Sequence, residues 1–115
     1  MPMDNWKTQV KRGYLELCLL LLIQRHGRLY GFDLLEKLKA QGLPLKEGTL
    51  YPLLSRMAEE GSLSTVWETE NLAGHPRKFY SLTKAGQASL SEMTVEFERM
   101  VRAYQDLQSP KKKGK

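Results

Sequence analysis

The run LELCLLLLI, from Leu15 to Ile23, constrains this chain more than any other stretch. Its only charged residue is Glu16. Wound as a helix it is apolar nearly all round, and such a helix must be covered on every side. A chain of 115 residues is one domain in size, so the simplest second cover is a partner subunit. The run is too short to span a bilayer, which takes about 20 apolar residues. It begins only after Lys7, Lys11 and Arg12 and is interrupted by Glu16, so no signal peptide is expected. No membrane association and a cytoplasmic location are therefore expected. Cys18, the single cysteine, excludes a disulfide framework and reads as a small buried apolar residue in a reducing compartment. Upstream, Asp4 or Asn5 is the expected cap of a helix reaching about Arg25, with Gly13 inside it.

His26-Gly27 ends that helix, and Leu29 to Gln41 reads as a second. Phe32, Leu34, Leu35 and Leu38 form its apolar stripe, and Asp33, Lys37 and Lys39 suit its dipole. Gly42 fits the left-handed position after the helix. Leu43-Pro44-Leu45 then makes a short connection to GTLYPLLSRMAEEG, Gly48 to Gly61. There Leu50, Leu53, Leu54 and Met57 recur at i, i+3, i+4 and i+7, one face of a third helix. Thr49 as its cap would put Pro52 in the first turn, where a missing N–H is harmless; a start near Lys46 would instead have Pro52 kink the helix or cost a bond. The opposite face carries Gly48, Pro52, Ser55 and Glu59, with Tyr51 and Arg56 at its edges. Two helices joined by a short turn containing glycine form a helix-turn-helix. The small polar outer face suits a DNA major groove, read from its N-terminal half because Glu59 and Glu60 repel phosphates. The same pattern also fits an ordinary surface helix.

After Gly61, Leu63 to Glu70 and Arg77 to Leu82 alternate as strands, with the turn residues Asn71 to Pro76 between them. This is a hairpin with His75 at its tip and Arg77-Lys78 opening the return strand. Both cations can meet phosphates, or pair across the hairpin with Glu68 and Glu70. Thr83 caps a last helix in which Leu90, Met93, Phe97, Met100, Tyr104 and Leu107 are spaced 3, 4, 3, 4, 3, a heptad seam. About 25 residues would project roughly 37 Å. Either the seam pairs with a second copy, or the helix folds back on its own domain. The fold class is mainly α with a small β component (α+β): a winged helix-turn-helix over residues 1–82, a dimerisation helix over 83–108 and a disordered basic tail over 109–115.

The net charge is +5, but Lys111, Lys112, Lys113 and Lys115 supply four charges and leave +1 for the rest. Nucleic acid would have to be bound through local placement of charge. Enzyme readings find no support. There is no phosphate loop, since Thr49 follows glycine and not lysine. His26 and His75 have no carboxylate at metal spacing, and no nucleophile has a base beside it. No metal or cofactor is expected. The rival from another class is a winged helix whose exposed third-helix face binds a protein.

Four segments carry a family resemblance: RGYLELCLLLLI (Arg12 to Ile23), LYGFDLLEKL (Leu29 to Leu38), KEGTLYPLLSRMAEEGSL (Lys46 to Leu63) and GHPRKFYSLTKAG (Gly74 to Gly86). In these the chain resembles the PadR family of bacterial transcriptional regulators, over about Lys11 to Leu107. One long C-terminal helix is similar to the short subfamily. Phe97 stands where several short members carry a tryptophan that stacks on aromatic ligands, and Phe79 where a tyrosine is common. The resemblance implies a homodimeric repressor on a near-palindromic double-stranded operator. It implies Thr49, Tyr51, Ser55 and Arg56 as recognition-helix contacts, Lys46 as a phosphate contact, and Gly74, His75, Arg77 and Lys78 as the wing. Arg56 alone among the recognition-helix contacts can contact guanine in bidentate fashion. The resemblance also implies a small aromatic or cationic effector near the dimer interface. Trp6, Met93, Phe97, Met100 and Tyr104 can line that site, and plain interface packing explains the same residues.

Overall fold

The computed structural model describes residues 2–69 and 74–111. Its first helix, α1, runs Met3–His26 and is ended by Gly27 at φ 82°. Pro2 is the N-cap in place of Asp4 or Asn5, and no side chain caps the helix. Proline's preset φ makes such a start natural. Leu19, Leu20 and Ile23 are fully buried and form the core with Leu34, Leu38, Leu50, Leu54 and Met57. The chain does not cover the rest of the run: Leu21 is 42% exposed, and Tyr14 is also exposed.

Leu29 and Tyr30 do not begin a helix. They form a two-residue strand, β1 (Leu29–Tyr30), antiparallel to Phe79 and Tyr80. β-propensity and a waiting partner outweigh the apolar spacing there. Helix α2 is Gly31–Ala40. It buries Leu34 and Leu38, whereas Phe32, expected in the apolar stripe, is exposed. Gly42 has φ 76°, the Gly42 N–H bonds the Lys39 carbonyl and the Leu43 N–H the Leu38 carbonyl. This paired closure satisfies the last helical carbonyls.

Helix α3 spans Glu47–Glu59 with Lys46, not Thr49, at its cap. Thr49 is the third helical residue, and the Leu50 N–H bonds the Lys46 carbonyl at 3.0 Å. Pro52 therefore lies in the interior, where it cannot donate to the Gly48 carbonyl; its exposure leaves water to serve that oxygen. Leu50, Leu54 and Met57 face inward. Gly61, at φ 88°, closes α3 as Gly42 closes α2.

The strands β2 (Leu63–Glu68) and β3 (Arg77–Leu82) pair in register from Leu63↔Leu82 to Glu68↔Arg77. The sheet order is β1-β3-β2, so β1 stitches the hairpin to the α1–α2 junction. The expected turn residues Asn71, Leu72 and Ala73, and Glu70, lie outside the described residues. Thr83 caps the last helix, α4 (Lys84–Gln108), as expected: its Oγ1 accepts from the Gly86 N–H at 2.9 Å and donates to the Gly61 carbonyl. Leu90 is buried, Met93 and Phe97 are half-buried against α1, and Tyr14 stacks on Phe97 at 5.4 Å. Beyond them Met100 is 54% exposed, Tyr104 61% and Leu107 84%. Ser109 is the C-cap of α4, and of the expected basic tail residues 112–115 lie outside the description.

Candidate nucleic-acid interface

The inward face of α3 is anchored by Leu50, Leu54 and Met57, so Tyr51 and Ser55 are turned outward. The hairpin rises beside them, with Gly74 at φ 72° leading into His75. Between the two lies a concave surface of about 570 Å³. Tyr51 and Ser55 line one side of it, His75, Arg77 and Lys78 the other, and Gly31 and Phe32 of α2 contribute to the lining. None of its described lining residues is acidic. The surface combines cations, hydroxyls and aromatic faces, the donor set that meets phosphates and base edges.

The cations of the return strand rest on rings. The Arg77 guanidinium lies 4.9 Å from the Tyr30 ring centroid, and the Lys78 ammonium 5.7 Å from Tyr80 and 5.9 Å from Trp67. Glu68, register partner of Arg77, instead forms an ion pair with Arg28 at 2.7 Å. Arg28 in turn lies 4.0 Å over Phe79. Cation–π contacts hold charge in place without neutralising it. Burial, then the Glu47 charge, then Tyr30 raise the Tyr51 pKa; burial and Tyr51 raise that of Tyr80. Tyr51 is a neutral phenol near neutral pH, a hydrogen-bond donor.

Five of the sequence-predicted contacts thus line one surface: Tyr51, Ser55, His75, Arg77 and Lys78. Gly74 adjoins it in the chain. Lys46 and Thr49 are exposed at the start of α3 and do not line it. Arg56 also stays outside: its Nη1 donates to both Glu60 carboxylate oxygens at 2.9 Å, and its Nη2 to Glu16 of α1 at 3.3 Å. The sequence reading missed Tyr30, Gly31, Phe32 and Trp67. The first three were hidden by assigning them to a helix; Trp67 stood across the hairpin from Lys78 and was within reach of a register argument.

A second cavity, about 660 Å³, opens between α1 and α4. Met93, Phe97 and Met100 line it, as the effector reading expected, together with Val10, Tyr14, Leu17 and one charge, Glu96. Trp6 and Tyr104 are exposed and do not line it. Among the described residues, no three histidine, cysteine, aspartate or glutamate side chains group to hold a metal, and no helix is long and apolar enough to cross a membrane.

Comparison with known proteins agrees with this architecture. A PadR-like transcription factor from Bacteroides fragilis is 38% identical, with a TM-score of 0.75 over 90% of this chain and 99% of that one. A PadR-like transcriptional regulator from Bacillus cereus is 30% identical, with a TM-score of 0.79 over the same shares. A transcriptional regulator of Mycobacterium tuberculosis is 35% identical over 76 residues, 66% of this chain and 69% of that protein. The model of the transcriptional regulator PadR-like family matches residues 19–92, from the leucine run through the helix-turn-helix and wing into α4. With well over half its length matched, and with the winged-helix fold in common, this chain belongs to the PadR-like family of transcriptional regulators, a family of regulators and not of enzymes.

Proposed function

We propose that two copies of this chain form a cytoplasmic repressor that reads a near-palindromic operator. Each α3 enters a major groove and each hairpin lies on flanking backbone, with half-sites about one helical turn, roughly 34 Å, apart. The observation that carries this reading is the surface, with no acidic side chain among its described lining residues, that Tyr51 and Ser55 of α3 share with His75, Arg77 and Lys78 of the wing. Lys46 and Thr49 meet the backbone at the start of α3. Arg56 reaches a guanine edge by exchanging its carboxylate partners for the base. The cavity between α1 and α4 supports a small aromatic or cationic effector: its wall is apolar except for Glu96, and it abuts the seam through which the copies pair.

The test is binding to duplex from the promoter upstream of the chain's own gene, followed by fluorescence anisotropy with rising salt. The expected result is sequence-specific binding that weakens by about 0.9 log units per log unit of salt for each phosphate neutralised. Binding to no duplex, or with no sequence preference, overturns the proposal and returns the α3 face to a role in protein association.

A further inference from the structure

Gly31 is the first residue of α2 and is buried. Its φ is not positive, so backbone conformation does not require glycine there. Space does. A Cβ at this position would stand 2.6 Å from the Tyr51 hydroxyl oxygen and 2.8 Å from its Cζ. Contacting carbons sit about 3.5–4.0 Å apart, so an alanine side chain and the present Tyr51 ring exclude one another. The obstructing atoms all belong to the end of the tyrosine side chain, not to backbone. Tyr51 is 38% exposed, which leaves it solvent to swing into. Among the described glycines only Gly86 is comparably crowded, and there the obstacle is the Ser62 backbone.

We infer that Gly31 is a positioning residue for DNA recognition: by lacking a Cβ it lets the Tyr51 ring lie across the start of α2, which holds the hydroxyl in the groove opposite Arg77 and Lys78. The inference rests on the reading of that groove as the DNA face. The hydroxyl donates to a phosphate oxygen, and the wing cations hold the same strand from the other side. A side chain on Gly31 pushes the ring outward and removes this donor while leaving α2, α3 and the wing in place.

The experiment pairs Gly31→Ala, Tyr51→Ala and the double variant, with operator affinity measured by anisotropy and the Tyr51 ring followed by NMR. Ring signals are assigned by their absence from Tyr51→Phe. The expected result is displaced Tyr51 ring signals in Gly31→Ala and a loss of affinity of roughly tenfold, the worth of one hydrogen bond to a charged group. Tyr51→Ala loses the same amount, and the double variant loses no more than either. Ring signals that stay put in Gly31→Ala overturn the positioning role. So does a Gly31→Ala loss that adds to that of Tyr51→Ala. A ring that moves with no loss of affinity in any variant overturns the DNA role, and with it the assignment of the groove. Should Gly31→Ala not fold, the double variant relieves the clash; if it folds and binds as Tyr51→Ala does, the inference stands, and if it too fails to fold, Gly31 serves the fold alone.

Discussion

Arg56 and Lys78 carry like charge in unlike settings, and that difference predicts different roles. Arg56 is gripped by Glu60 and Glu16, whereas Lys78 rests against Trp67 and Tyr80. In the proposed complex Arg56 reads bases, so Arg56→Ala should cost about 1–3 kcal/mol of discrimination between operator and scrambled duplex. Lys78→Ala should weaken binding to both duplexes alike and lower the salt slope by about one. Equal effects on both duplexes in the two variants would refute the sorting. Glu16→Gln and Glu60→Gln should each raise operator affinity, because they loosen the grip that the base must displace. The tyrosines give a pH prediction. Burial and neighbours raise the pKa of Tyr51 and Tyr80, and Cys18 chiefly that of Tyr14, from the ordinary 10.0. Above that value the unfolded chain has lost these protons while the folded chain still holds them. The tyrosines' contribution to stability should therefore be constant below about pH 10 and fall as pH rises beyond it, with Cys18, raised by burial from its ordinary 9.0, adding to the fall from about pH 9. Urea melts at pH 8 and pH 11 measure this, and Tyr80→Phe should reduce the fall.

Gly86 of α4 lies against the Ser62 backbone just before β2, and it makes the sharpest prediction at the level of elements. Its Cβ would collide with the Ser62 carbonyl at the base of the wing, beside the Thr83 cap that ties α4 to Gly61. Gly86→Ala should destabilise the fold by about 1–3 kcal/mol, the range for overpacked sites, as read by urea denaturation. A variant as stable as the parent would mean that α4 can slide along the wing. Helix ends of this kind were legible in advance. Gly42 and Thr83 follow local rules, and the structure has them in those roles; Leu90, Met93 and Phe97 pack on their own chain, as the folding-back alternative had it. Local rules did not reach β1: Leu29 and Tyr30 become a strand only because Phe79 and Tyr80 arrive from fifty residues away. For the same reason Tyr30, the support of Arg77, could not be foreseen, whereas Trp67 and Tyr80, the supports of Lys78, lie within the hairpin itself. Thr49 shows the opposite failure. Its side chain favours a cap, but the chain turns into helix three residues sooner, with Lys46 as cap and Glu47 the first helical residue, and leaves Pro52 inside.

At the scale of the whole molecule, one chain leaves apolar surface uncovered. Leu21 and Tyr14 of α1 and Met100, Tyr104 and Leu107 of α4 are exposed, and the exposure of the α4 seam grows towards its end. Large contiguous apolar patches on small soluble proteins mark interfaces. Replacing Phe97 and Met100 by glutamate should yield monomers in sizing experiments, and operator affinity should fall with the loss of paired half-sites. A doubly substituted chain that still runs as a dimer would refute the proposed seam. The uncovered far half of α4 also has a consequence for how much protein a cell must hold. If that half is finished only by a copy of itself, each tenfold dilution removes about 1.4 kcal/mol from the association. Scarcity then loosens the pair and softens the fold together, so occupancy of a promoter would collapse more abruptly than the protein's abundance declines.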